Sequence, residues 1–208
     1  MARILKLLPL ALLLTIGAGP AKDDIIRGPL LQPGEFKVGP YSPRCGSVQT
    51  FLADDLPVGG AALAAPGRGD TVRLIVMNPK NLRRTSDETK LFVYSHECGH
   101  HLFGESEVAA DCYAAMRGRQ EGWLTEKRLD KTCRMRYIHL KGSLRYPPGT
   151  LRCRIQRYCF AAANHRRPLD AAYVRRVSRA ALDRVVPVAD FYLRAERDEL
   201  NAMGEHER

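Results

Sequence analysis

The distribution of apolar and polar residues divides the chain into a loop-rich first part and a helical second part. Residues 22–66 are rich in Gly and Pro, which predicts loops with short strands. The segment from Thr71 to Met77 mixes β-branched and apolar residues and stops at Asn78-Pro79. It is the clearest strand pattern in the chain, and a turn follows it.

Two helices are predicted immediately after this strand. Thr85 and Glu88 have the spacing of a capping box, so a helix should begin there and end at Gly104. A second helix should begin at Ser106 and end at Gly118 or Gly122. Its apolar positions recur at helical spacing, which predicts one buried face.

Further amphipathic segments make the rest of the chain helical. They lie near residues 125–139, 150–163, 168–185 and 188–203. Thr125 and Thr150 suit N-cap positions, and Pro168 and Pro187 suit first turns. The fold class predicted is α+β, mostly helical, with a small β-sheet preceding the helix that carries His96.

The first 21 residues have the layout of a secretory signal peptide. Arg3 and Lys6 precede an apolar run over residues 7–18, and small residues end at Ala21. Residues 22–208 then form a single domain of ordinary size. No later segment is long and apolar enough to span a bilayer, so we expect a soluble protein that is secreted or periplasmic. An uncleaved N-terminal anchor would leave the same domain outside the membrane.

Six cysteines remain after that cleavage, and an even number in an exported chain predicts disulfide bonds. Spacing alone does not select a pairing, and the alternative that some of the cysteines are free buried thiols stays open. Cys98 is expected to pack in the core or to form a disulfide with Cys112.

The net charge of +10 comes from the second half of the chain. Residues 117–208 hold 21 of the 33 Lys and Arg but only 11 of the 23 Asp and Glu. Such a surface can attract an anionic surface or polymer. No nucleic-acid-binding pattern accompanies the arginines, so we expect no specific nucleic acid and read the Arg-rich helices from Arg152 onward as solvated faces.

The chemistry is concentrated in the first of the two predicted helices. His96 and His100 are four residues apart and project from one helix face, where two imidazoles can bind the same cation. Glu97 lies about 100° around the helix from His96, so it flanks such a metal as a general base instead of binding it. His101 lies about 140° from His96 and is expected to be packed or solvated.

A hydrolytic zinc site usually needs a third protein ligand. Glu107 is the best candidate, because it follows a turn that Gly104 makes possible. Asp111 stands four residues later on the same predicted face, where it can accept a hydrogen bond from a ligating imidazole. The alternative, with Asp111 as the direct ligand and Glu107 beside it, stays open.

The segment from His96 to Asp111 resembles the zincin metallopeptidases. It resembles in particular the gluzincin-like group, in which H-E-x-x-H precedes a Glu-x-x-x-Asp helix, and a family of bacterial metallopeptidases without assigned substrates. The resemblance covers residues 85–116. It implies Zn²⁺ held by His96, His100 and Glu107, with Glu97 as general base toward a metal-activated water. It also implies that the strand at 71–77 aligns an extended peptide.

The function expected is therefore that of an exported zinc metallopeptidase acting on a peptide or protein substrate. Two other functions remain open from the sequence. One is a basic exported binding protein whose H-E-x-x-H segment is structural or stores metal. The other is a zinc amidase acting on cell-wall peptides, which differs from the first only in its substrate.

Overall fold

The computed structural model describes residues 28–66, 71–136, 141 and 147–185. The predicted signal peptide and the predicted helix at 188–203 lie outside these residues. The described chain has an α+β fold in which a small mixed sheet precedes the helices. None of its helices combines the length and the apolarity that crossing a membrane requires.

Four strands form the sheet that the described residues contain. They are β1 (Leu30–Leu31), β2 (Gln49–Leu52), β3 (Gly60–Pro66) and β4 (Thr71–Met77). Their order is β1-β2-β4-β3, with β2 and β4 parallel and the other pairs antiparallel. The predicted strand at 71–77 is confirmed, but it lies inside the sheet. The expectation that this strand aligns an extended peptide is wrong, because β3 pairs along its full length and becomes the edge strand.

Six helices follow the sheet in the described chain. They are α1 (Pro79–Leu82), α2 (Asp87–Phe103), α3 (Glu107–Gln120), α4 (Glu126–Arg136), α5 (Gly149–Ala162) and α6 (Ala171–Val185). Helix α2 ends at Gly104, whose φ of 64° is a conformation that glycine adopts without steric cost. The Ser106 side chain caps α3 by accepting a hydrogen bond from the Ala109 amide.

Three helix starts differ from the sequence predictions. Ser86, one residue after Thr85, caps α2 with its hydroxyl. Helix α5 begins behind Pro148 without a side-chain cap, so Thr150 is not its N-cap. Helix α6 begins three residues after Pro168, because the Asp170 carboxylate accepts a hydrogen bond from the Tyr173 amide at 2.7 Å. At the starts of α2 and α6, a neighbouring side chain, that of Ser86 or Asp170, accepts the hydrogen bond from a free backbone amide and so sets where the helix begins.

Close contact between α2 and α3 brings the chemically important residues together. A Cβ atom at Gly99 would lie 2.7 Å from the Cα of Ala110, so only glycine allows this approach. Gly99 lies between His96 and His101 on α2, and Ala110 precedes Asp111 on α3. The small residues therefore set the distance between the histidines of one helix and the carboxylates of the next.

Two disulfides link buried residues within the core. Cys45, which precedes β2, bonds to Cys98 of α2, and Cys112 of α3 bonds to Cys159 of α5. The suggested pairing of Cys98 with Cys112 is wrong, because these side chains lie in different parts of the core. Disulfides of this kind indicate a non-reducing environment.

Candidate metal centre

The imidazoles of His96 and His100 meet on the face of α2 that is turned toward α3. Their Nε2 atoms are 3.1 Å apart. Each Nδ1 atom has a different contact: that of His96 lies 2.9 Å from Asp111 Oδ1, and that of His100 lies 2.8 Å from the Gly104 carbonyl oxygen. In the neutral tautomer with its hydrogen on Nδ1, each ring presents an Nε2 lone pair to the point that the two Nε2 atoms share.

The carboxylate of Glu107 completes a group of three side chains that could hold a metal ion. Its Oε2 lies 3.4 Å from His96 Nε2, and its Oε1 lies 3.5 Å from His100 Nε2. Bonds of about 2.0–2.1 Å in a tetrahedron place ligand atoms about 3.3 Å apart. The spacing of the three side chains therefore fits a small, four-coordinate cation, and all three are largely buried.

Asp111 occupies a different position from Glu107. Its Oδ1 contacts the Nδ1 side of the His96 ring, away from the Nε2 atom that faces Glu107. The Asp111 side chain is only 1% exposed. A carboxylate in this position orients the ring and raises its basicity as a ligand.

Arg152 of α5 is a member of this site that the sequence analysis missed. It is 6% exposed, so its interpretation as part of a solvated face is wrong. Its Nε and Nη2 donate to Asp111 at 2.7 Å and 2.9 Å, and Nη2 also lies 2.9 Å from Glu107 Oε2. Its position relative to the buried Ile155 and Cys159, at i+3 and i+7, is a sequence signal that could have identified it.

The charges of the site shift the pKa values of its members strongly. Burial by itself lowers the pKa of His96, but hydrogen bonds with Asp111 and Glu107 outweigh burial and raise it to about 10. Burial also disfavours the charged form of Glu107, yet hydrogen bonds with His100 and His96 bring its pKa to about 2. Arg152 holds the pKa of Asp111 well below its usual range despite complete burial. Both carboxylates are therefore ionised at neutral pH.

A cavity of about 870 Å³ opens in front of these residues. Glu97, His96 and His100 line it from α2, and residues 60–64 of β3 line it from the opposite side. His101 lies at the same cavity, and its Nε2 is 3.0 Å from the Leu74 carbonyl oxygen of β4, so it joins the helix to the sheet. Burial lowers the pKa of His101, which favours its neutral form.

Comparisons of the chain with protein-family models, with curated proteins and with solved structures find no match. The arguments about function therefore rest on the residues of this site.

Proposed function

We propose that this protein is an exported zinc metallopeptidase. One observation carries the proposal: the Nε2 atoms of His96 and His100 and the carboxylate of Glu107 face one another at 3.1 to 3.5 Å beside a cavity that Glu97 also lines. Two imidazoles, one carboxylate and an open side form the ligand set of a catalytic zinc site. The two disulfides favour a secreted or periplasmic location.

Glu107 is favoured over Asp111 as the third ligand. Arg152 holds both oxygens of Asp111, and one of them also contacts His96 Nδ1. Glu107 keeps Oε1 on the side of His100, while its Oε2 is shared between His96 and Arg152. The arginine thus restrains Glu107 in the orientation that suits a one-oxygen ligand.

Zinc bound here would acidify a water and polarise the carbonyl of a substrate. Glu97 is adjacent to the ligand His96 and lines the cavity, where an attacking water and a substrate would meet. Its carboxylate would take the proton of the water and deliver it to the leaving nitrogen. This division of roles requires one carboxylate at the metal and a second in the cavity, and Glu107 and Glu97 supply the two.

A peptide substrate is supported by the edge strand β3. Among the described strands, β3 is the one whose free edge borders the cavity. An extended peptide can pair with such an edge through main-chain hydrogen bonds. Three exposed apolar side chains also line the cavity, namely Val58, Leu63 and Leu102. We therefore expect cleavage of extended peptides with apolar residues beside the scissile bond.

The first experiment measures zinc in the purified protein by elemental analysis, after dialysis against zinc and removal of the excess. We expect one zinc per chain in the wild type and a loss of it in His100→Ala and Glu107→Ala. Glu126→Gln, which changes an exposed carboxylate on α4, is the matched control and should keep its zinc. A wild-type protein that binds no zinc would contradict the proposal.

The second experiment tests hydrolysis with a library of quenched peptides, comparing wild type with Glu97→Gln. We expect a loss of activity of about 10²- to 10⁴-fold with zinc content unchanged. Zinc binding without hydrolysis of peptides or of cell-wall amides by the wild type would instead identify a metal-binding protein. Cleavage of the cell-wall amides alone would identify the amidase.

A further inference from the structure

Two cysteines, Cys133 of α4 and Cys153 of α5, stand outside the two disulfides. Helix α4 packs against α5, and each of the two thiols shifts the pKa of the other. Both are buried, with 1% and 6% of their surface exposed. Cys133 Sγ is also 3.3 Å from Oε1 of the fully buried Gln156. Gln156 stands one helical turn after Cys153 on α5, so both cysteines face the same buried contact between the two helices.

We propose that Cys133 and Cys153 form a third disulfide that clamps α4 onto α5. This inference does not depend on the metallopeptidase proposal. A disulfide needs two cysteines on closely approaching backbones, and the contact with Gln156 brings Cys133 to the turn of α5 that follows Cys153. The bond would also use the last two of the six cysteines in the chain.

The packing of α4 gives this bond a structural purpose. Of residues 126–134, only Leu129, Thr132 and Cys133 are buried, so α4 attaches to the core through a narrow face. On the outside of the same contact, Arg157 of α5 forms an ion pair with Asp130 of α4 at 2.6 Å, and an exposed pair of this kind contributes little to stability. A covalent bond at Cys133 would therefore supply much of the attachment of α4.

The bond would form by thiol–disulfide exchange with a protein disulfide oxidant of the exporting compartment. The exchange begins when the thiolate of one cysteine, for example Cys153, attacks the oxidant disulfide, and one oxidant sulfur leaves as a thiolate. Cys133 then loses its proton and attacks the mixed disulfide, which releases the second oxidant sulfur. The cysteine pair loses two protons and two electrons, and the oxidant is reduced to a dithiol.

Burial determines when this exchange can take place. With α4 packed on α5, neither an oxidant nor a reductant can reach two residues of which 1% and 6% of the surface is exposed. The bond should therefore form before α4 docks and resist mild reductants afterwards.

Mass spectrometry of the full chain, expressed with export to a bacterial periplasm, tests the proposal. The protein is denatured without reductant and alkylated with N-ethylmaleimide. We expect no adduct, and a linked peptide pair containing Cys133 and Cys153 after proteolysis. Two adducts at Cys133 and Cys153 would overturn the proposal, and so would a link from either cysteine to another partner. This measurement needs no variant, so it does not depend on whether a variant folds.

The clamp itself is tested with Cys133→Ser, Cys153→Ser and the double variant. We expect each single variant to lower the thermal midpoint by roughly 5–10 °C and the double variant to lower it by about the same amount. Lys127→Gln, an exposed substitution on the same helix, is the control and should leave the midpoint unchanged. Single variants that unfold at the wild-type midpoint would overturn the clamp.

Discussion

The guanidinium of Arg152 forms two hydrogen bonds with the carboxylate of Asp111, from Nε to Oδ2 at 2.7 Å and from Nη2 to Oδ1 at 2.9 Å. Asp111 Oδ1 also contacts His96 Nδ1 at 2.9 Å. The three side chains come from α5, α3 and α2, so one polar chain joins the three helices behind the candidate metal centre. Changes to Arg152 or Asp111 in this polar chain should therefore alter the stability of the protein and its affinity for zinc.

Removing the arginine should destabilise the protein strongly. Arg152→Met leaves the carboxylate of Asp111 buried without its main partner, and breaking such a buried pair costs about 3–5 kcal/mol. The free energy of unfolding is measured in urea with a chelator present, so that metal binding does not contribute. The double variant with Asp111→Leu should recover part of the loss, because no unpaired carboxylate then remains at residue 111. A loss below about 1 kcal/mol in the single variant would contradict the role of this pair.

Replacing Asp111 with asparagine should weaken zinc binding without abolishing it. The amide is a poorer acceptor for the His96 Nδ1 hydrogen, and loss of such an outer contact lowers metal affinity about 10- to 100-fold. Competition with a chromophoric chelator measures the affinity. Asp130→Asn, which changes a carboxylate on α4, is the control. If Asp111→Asn lost zinc as completely as His100→Ala, Asp111 itself would be a ligand.

Zinc binding at pH 7 should release about one proton. The pKa of His96 is raised to about 10 by Asp111 and Glu107, so its ring carries a proton that a metal at Nε2 must displace. Calorimetry in two buffers of different ionisation enthalpy measures the released protons. The affinity should rise from pH 6 to pH 9, and an affinity independent of pH over this range would contradict the prediction.

In the presence of a chelator, the free energy of unfolding should fall as the pH rises above 6.5, whereas the zinc affinity rises. A pKa raised from 6.5 to about 10 in His96 stabilises the fold fully below pH 6.5, and this contribution is lost as the pH rises toward 10. The pKa of Glu107, lowered from 4.5 to about 2, contributes above pH 4.5 and is lost as the pH falls toward 2. Urea unfolding should thus show a maximum between these limits. His96→Gln should remove the decline above pH 6.5.

Gly60 of β3 should be needed for activity but not for zinc binding. A Cβ atom there would lie 2.6 Å from Val93 Cγ1 and 3.2 Å from Glu97 Cγ, so Gly60→Ala must displace the strand or the glutamate. A misplaced general base lowers kcat/KM by roughly 10- to 100-fold. Thr71→Ser, an exposed change on the neighbouring strand β4 that does not line the cavity, is the control. An unchanged kcat/KM in Gly60→Ala would show that Glu97 needs no such support.

The sequence predicted those parts of the site that depend on local geometry. The helical period places His96 and His100 on one face, and Gly104 and Ser106 mark the turn before Glu107. The order of strand and helices followed from the same periodicity. Helix starts were less predictable, because several neighbouring side chains can satisfy the same free amides. The choice of Ser86 over Thr85 is one such case.

By itself, then, the amino-acid sequence determined the helix carrying H-E-x-x-H, the helix carrying Glu107 and Asp111, and the mostly helical α+β class, because these depend on residues close together in the chain. Only the tertiary structure decided that Arg152 reaches Asp111 from 41 residues away, that Cys98 pairs with Cys45, and that β3 is the edge facing Glu97. Such contacts depend on which faces of the helices and strands pack together. Local sequence patterns allow several packing arrangements, and the burial of side chains over the whole core selects one of them.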